Sequence, residues 1–248
     1  ASCLVGSEMC IRDSNNTEHA ANLFGLKEFG NIYSRLGNPT VGALEARLTA
    51  LEDGAMCVAL SSGTSAVMYS LINIMSQGDN FVTANQLYGG TYTMFDNILP
   101  EYGINSKKVD ITDFEAVESA IDEKTRAIYC ETITNPGLVV ADISALADIA
   151  HSKGIPLIVD ATFTTSAILK PFEFGADIVV YSLTKWMSGH GRVIAGAVIE
   201  KGGFDWGNGN FPLYDKPDTS YGGMRWGHDL GDLGNVAYSL RLRTVPLR

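Results

Sequence analysis

Short runs of consecutive apolar residues recur along the middle of the chain, and stretches with apolar positions three and four apart separate them. The uninterrupted runs predict strands over 56–60, 80–84, 106–110, 126–131, 156–160, 177–181 and 193–199. The amphipathic stretches predict helices over 42–51, 64–75, 113–121 and 144–152. Thr112 and Glu115 have the spacing of a capping box, and Gly154 with Pro156 closes one helix before the next strand. Strands without polar alternation, set between helices, imply a mostly parallel sheet covered on both faces. The expected fold class is therefore α/β, a three-layer α/β/α arrangement around seven strands. Residues 201–234, rich in Gly, Asp, Trp and Tyr, predict a long ordered loop or insertion, and 235–248 predicts a helix that stops at the chain end.

Composition narrows the function classes. The 248 residues are 46% hydrophobic and 19% charged, which suits a globular chain with one large core or two modest ones. No apolar stretch is long enough to span a bilayer, and no signal-peptide pattern is present, so the expectation is a cytoplasmic protein without a membrane partner. A net charge of −10 argues against a nucleic-acid partner, which needs clustered Lys and Arg to neutralise phosphates. Cys3, Cys10, Cys57 and Cys130 contain no Cys-x-x-Cys, and His19, His151, His190 and His228 show no metal-binding pattern, so no metal site is expected. His151 is expected on the surface at a helix end. Residues 1–14 lack periodicity and resemble a translated sequencing adapter; they are set aside as non-native.

Ligands in parallel α/β folds bind at the carboxyl ends of the strands. Asp160 ends one predicted strand and Lys185 follows the next, 185 − 160 = 25 residues later. That pair suits pyridoxal phosphate chemistry, in which a lysine forms a Schiff base with the aldehyde and an aspartate keeps the pyridine nitrogen protonated. Ser62-Gly63-Thr64 follows a strand and opens a helix, where backbone N–H groups and the helix dipole make an anion site. Ser and Thr are also ordinary N-caps, so this turn alone says little. Ser182 and Thr184 flank Lys185 at alternating positions, so in an extended loop both hydroxyls would face one phosphate. Tyr88, followed by two glycines, is placed to stack on a ring or simply to pack. Asn135 sits in an Asn-Pro-Gly turn after a strand. Tyr33 and Arg35 would by themselves read as surface loop. The glycine fingerprint of nicotinamide-binding Rossmann oxidoreductases is absent.

In this combination the chain resembles the Cys/Met-metabolism family of pyridoxal-phosphate enzymes, on the aspartate-aminotransferase-like fold. The resemblance covers roughly residues 15–248. It implies pyridoxal phosphate as cofactor, with Lys185 as the Schiff-base lysine and Asp160 on the pyridine nitrogen. It further implies Ser62, Gly63, Thr64, Ser182 and Thr184 around the phosphate. Tyr88 would stack on the ring and assist proton transfer or leaving-group departure, and Asn135 and Thr162 would touch the ring's other edge. Tyr33 and Arg35 would reach the phosphate of a neighbouring subunit, in a homo-oligomer built as a dimer of dimers. Residues 15–55 would form an arm and first helix, and 56–248 the large cofactor-binding domain, truncated before the family's small C-terminal domain.

Two features are similar to the sulfhydrylase branch of the family. Gly90 stands where methionine γ-lyases usually carry a cysteine, and residues 211–223 look like an insertion typical of that branch; residues 22–27 are also similar to it. The implied reaction is γ-replacement on O-acetyl-L-homoserine by sulfide, giving homocysteine and acetate. The alternatives are a methionine γ-lyase, a cystathionine γ-synthase, or a non-catalytic cofactor-binding fragment.

Overall fold

Seven strands pair into one sheet in the computed structural model, which describes residues 15–25, 28 and 30–247. The adapter-like segment 1–14, and Leu26 and Lys27 of the 22–27 stretch, lie outside the described residues. The strands are β1 (Met56–Leu60), β2 (Asn80–Ala84), β3 (Asn105–Val109), β4 (Thr125–Glu131), β5 (Leu157–Asp160), β6 (Ile178–Ser182) and β7 (Gly196–Glu200). Their spatial order is β1-β7-β6-β5-β4-β2-β3. The pairs β2/β3, β2/β4, β4/β5 and β5/β6 are parallel, as the apolar runs imply. β7 alone runs antiparallel, against β6 on one side and β1 on the other.

β2, β4 and β7 are buried at every residue. Successive strand side chains point to opposite faces, so burial without alternation means that both faces are covered. The helices Pro39–Glu52 and Ala237–Thr244 pack on β1, Gly63–Ile72 on β6 and β7, and Ile143–Ser152 on β4 and β5.

Several boundaries differ from the sequence expectation for local reasons. The first of these helices begins at Pro39, because the Asn38 side chain accepts the Thr40 N–H at 2.9 Å and Pro39 suits a first turn. The expected Thr112–Glu115 capping box does not form. Thr112 donates its hydroxyl to Asp110 at 2.7 Å, and Asp113 caps the helix by accepting the Ala116 N–H at 3.0 Å. β7 starts at Gly196 rather than Val193, since the Ala195 backbone is bonded to the Thr184 side chain. His151 is exposed at its helix end and also pairs with Asp177 at 2.8 Å.

The irregular segment 201–234 is ordered by aromatic packing. Trp206 lies 5.1 Å from each of Phe211, Tyr214 and Tyr238, ring centre to ring centre. Beneath them Asn73, fully buried, donates to Tyr214 Oη and to the Tyr238 carbonyl at 3.0 Å each. Arg241 Nη1 donates to the Asn73 carbonyl at 2.6 Å. The insertion is thereby pinned to the end of the helix Gly63–Ile72, whose other end opens on the cavity described next. Among the described residues no helix is long and apolar enough to cross a membrane, and no group of three His, Cys, Asp or Glu could hold a metal ion.

Candidate active site

Strand direction brings distant parts of the chain to one edge of the sheet. β4, β5 and β6 are parallel, so their last residues Glu131, Asp160 and Ser182 end side by side. β7 is reversed, so its first residue, Gly196, lies at that same edge, in register with Ser182 on one side and Leu60 on the other. β1 then delivers Ser62, Gly63 and Thr64 to the edge, and β2 delivers Tyr88. A cavity of about 650 Å³ opens there, within the usual range for a small-molecule site. Lys185, Asp160, Tyr88, Ser62, Gly63, Thr64, Asn135, Thr162, Ser182 and Thr184 all line it.

The helix Gly63–Ile72 points its N-terminus into this cavity. Ser62 caps it, accepting the Ser65 N–H at 3.0 Å, and the first-turn N–H groups of Gly63 and Thr64 have no partner inside the helix. Neither neighbour leaves room for a side chain at this approach. A Cβ on Gly63 would sit 2.4 Å from Ser182 Cβ, and one on Gly196 would sit 2.0 Å from the Ser62 carbonyl oxygen. The result is a cradle of backbone donors and small hydroxyls suited to a phosphate.

Asp160 is held from two sides. Its Oδ1 accepts the Thr162 N–H at 2.9 Å, and its Oδ2 accepts the Tyr129 hydroxyl at 3.3 Å. Burial raises the Tyr129 hydroxyl far above its usual range, so it stays a donor. Burial also pushes the Asp160 carboxyl up, against the lowering effect of Thr162 and Tyr129. A cation beside it would reverse that shift, so the site favours a ligand that presents a protonated nitrogen.

Lys185 is exposed and follows β6 in a tight turn, with its N–H bonded to the Ser182 carbonyl at 3.2 Å. The turn corrects the expectation of an extended loop. Thr184 Oγ1 donates to the Ala195 carbonyl at 3.2 Å and accepts the Ala195 N–H at 3.1 Å. Thr184 therefore lines the cavity with its hydroxyl proton already committed to closing the loop 186–195. Thr162 is better placed than its sequence suggested: its Oγ1 accepts the Ser182 N–H at 2.7 Å, tying the end of β5 to the end of β6.

Tyr33 and Arg35 do not line the cavity. They stack on each other, with the guanidinium 4.7 Å from the ring centre, and Arg35 Nη1 is buried without a hydrogen-bond partner among the described residues. Reading by sequence passed over Glu131, Phe163, Trp186 and Ile194, which line the cavity, and Tyr129 and Gly196, which shape it. Glu131 carried the same signal as Asp160, an acid closing a buried apolar run.

One cavity thus joins an anion cradle, a lysine amine and a carboxylate that favours a cationic partner. This donor set fits pyridoxal phosphate, which carries an anion, an aldehyde and a basic ring nitrogen. The family described as "Cys/Met metabolism PLP-dependent enzyme" matches residues 11–224.

The chain belongs to this family. Its cofactor is pyridoxal phosphate. The chain is 44% identical over 238 residues to the O-acetyl-L-homoserine sulfhydrylase of Leptospira meyeri, covering 94% of this chain and 54% of that protein. A Campylobacter jejuni structure whose lysine carries a pyridoxyl monophosphate superposes with a TM-score of 0.89 at 39% identity, over 94% of this chain and 57% of that one. Cystathionine γ-lyase of Lactobacillus plantarum superposes at 0.67 with 34% identity, over 88% and 54%. The chain spans about half the length of the curated relatives it matches.

The Gly196 contact gives a direct test of the cradle. Gly196→Ala must displace the Ser62 backbone, so it is expected to cost about 1–3 kcal/mol of stability and to weaken pyridoxal phosphate binding. Gly42→Ala, in a helix with open space at its Cβ, is the control. Melting curves with and without the cofactor check this. Equal cofactor-induced shifts in both variants would contradict the close-approach argument.

Proposed function

We propose that the chain carries out γ-replacement on O-acetyl-L-homoserine, exchanging acetate for sulfide to give L-homocysteine. The observation that carries this reading is the convergence of Lys185, Asp160 and the Ser62-Gly63-Thr64 helix terminus on one cavity. The likeness to O-acetyl-L-homoserine sulfhydrylase supports the choice of substrate.

When bound, pyridoxal phosphate supplies an electron-accepting ring that stabilises negative charge next to the substrate α-carbon. Backbone N–H groups of Gly63 and Thr64, with the hydroxyls of Ser62 and Ser182, hold its phosphate. Asp160 holds the proton on the ring nitrogen, and Thr162 and Tyr129 fix the Asp160 carboxyl. Lys185 would anchor the cofactor through Nζ, and once the substrate amine has replaced it there, the free amine would take the proton from the substrate α-carbon and return it at the end. Tyr88 would cover the ring face and assist proton transfer as a β-proton is lost and acetate leaves the γ-carbon. Asn135 orients the opposite edge of the ring. Sulfide would then add at the γ-carbon as a proton returns to the β-carbon, so acetate and homocysteine balance the substrates.

The same reading gives residues 15–55 the role of an arm against a second copy of the chain, and 56–248 that of the large cofactor domain. Tyr33 and Arg35 would complete the neighbour's phosphate site. Arg35 Nη1, buried and without a partner among the described residues, supports this, since an Arg nitrogen without an acceptor is costly unless an anion arrives. A dimer of dimers in the cytoplasm is the assembly this implies.

Protein supplied with pyridoxal phosphate, O-acetyl-L-homoserine and sulfide is expected to release homocysteine and acetate in equal amounts. Release of α-ketobutyrate without homocysteine would assign it to γ-elimination instead. Homocysteine-containing product with cysteine but not sulfide as nucleophile would make it a cystathionine synthase.

A further inference from the structure

Glu131 closes β4 directly across from Asp160 on β5, in the wall of the cofactor cavity. It is 6% exposed. Its Oε1 accepts the backbone N–H of Tyr88 at 2.7 Å. Tyr88 precedes the short helix Gly89–Thr93, and its side chain makes no capping bond there. The Tyr88 carbonyl accepts the Tyr92 N–H at 2.9 Å, so Tyr88 is tied to the helix on one side and to Glu131 on the other. The phenol ring, 48% exposed, lies free at the cavity. Gly90 makes room for it, since a Cβ there would come within 2.6 Å of Tyr88 Cε1.

Burial pushes the Glu131 carboxyl up to about 8, with the charge of Asp160 adding to the rise and the backbone N–H groups of Tyr88 and Asn135 opposing it. Both burial and the Asp160 charge disfavour its ionised form. It serves this wall as a hydrogen-bond acceptor and adds little negative charge beside Asp160.

We propose that Glu131 is a positioning residue for Tyr88, fixing the Tyr88 backbone so that the phenol ring lies over the bound cofactor ring. This rests on the reading of the cavity as the pyridoxal phosphate site and of Tyr88 as the residue covering the ring. Glu131 itself touches neither substrate nor reacting atoms. A glutamate that merely closes a buried strand would support the fold without acting through Tyr88, and a double-mutant cycle separates the two.

The experiment measures pyridoxal phosphate dissociation constants for the full chain by absorbance titration. Glu131→Ala removes the acceptor and is expected to weaken binding about tenfold. Tyr88→Ala removes the stacking ring and is expected to weaken it by a similar factor, about tenfold. The double variant is expected to lose about tenfold as well, because both changes delete one contact. Glu131→Gln keeps a carbonyl acceptor and is expected to recover affinity to within about threefold of wild type. Glu131→Asp withdraws the acceptor by one methylene and carries the same cycle if the alanine variant does not fold. Losses that multiply to about a hundredfold in the double variant overturn the proposal. So does wild-type affinity in both Glu131→Ala and Glu131→Asp. A wild-type chain that binds no pyridoxal phosphate overturns the cofactor reading itself, and this inference with it.

Discussion

Lys185→Ala is expected to abolish turnover and to remove the absorbance band that depends on a covalent bond between cofactor and lysine, while leaving the fold intact. The side chain is exposed at the cavity and supports no core packing, so its loss is a loss of chemistry. The phosphate cradle does not depend on it: Ser62, Gly63 and Ser182 stay held by the helix cap and by Thr162. The variant should therefore still bind pyridoxal phosphate noncovalently and show a thermal shift on adding it. Borohydride reduction of the wild-type protein, followed by peptide mapping, is expected to place the cofactor mass on the peptide containing Lys185. The mass on another lysine, or turnover surviving in the alanine variant, would remove Lys185 from its assigned role. The loss of rate should be several orders of magnitude, because in the proposed mechanism one amine serves both as anchor and as base, and general-base catalysis alone contributes about 10²–10⁴-fold.

The expectation for Lys185 was legible in the sequence because both partners sit where buried strands end. Asp160 ends a strand after three buried residues, and Lys185 follows a strand with four, so their position at one sheet edge needs only parallel strands. The order of elements was legible for the same reason. Hydrophobic period reports burial, and burial on both faces implies a covered parallel sheet. Pairing direction is not encoded in that period. Nothing in Gly196–Glu200 distinguishes an antiparallel strand from its parallel neighbours, so the reversal of β7 had to come from the structure. That reversal matters for function, since it puts Gly196 against Ser62. Glycine in a strand is a weak signal, and only the 2.0 Å approach shows what it permits.

Side-chain competition was equally hidden. Thr184 reads as a phosphate ligand from its spacing to Lys185, yet its hydroxyl is taken by Ala195, a residue 11 positions away across a loop. Thr162 is expected by resemblance at the edge of the cofactor ring, and it also joins two strand ends with one backbone donor and one side-chain acceptor. Tyr129 lies inside a strand and looks like core. Its ring packs edge-on against Phe95 at 5.2 Å while its hydroxyl reaches Asp160. Spacing finds residues that share an edge, and only geometry decides which hydroxyls remain available.

The hold on Asp160 leads to the second large effect. Asp160→Asn changes one oxygen to an amide and preserves volume, and the Thr162 N–H still has Oδ1 to bond. Cofactor binding should survive, since the phosphate cradle lies at a different strand end. What is lost is the negative charge that keeps the ring nitrogen protonated. An opposite charge at contact shifts a pKa by about 1–3 units, so without it the ring is largely neutral near pH 7 and turnover should fall roughly 100-fold or more. The present shift supports the same argument from the other side. Burial drives the Asp160 carboxyl up in the protein alone, which means the site stores an unfavourable charge that a cationic ring nitrogen relieves. Attraction then works both ways: the ring nitrogen holds its proton more tightly, and Asp160 loses its own more readily. Steady-state turnover at saturating pyridoxal phosphate, with cofactor affinity measured separately, distinguishes this from a binding defect. Unchanged turnover in Asp160→Asn at full occupancy would show that protonation of the ring does not depend on this carboxylate.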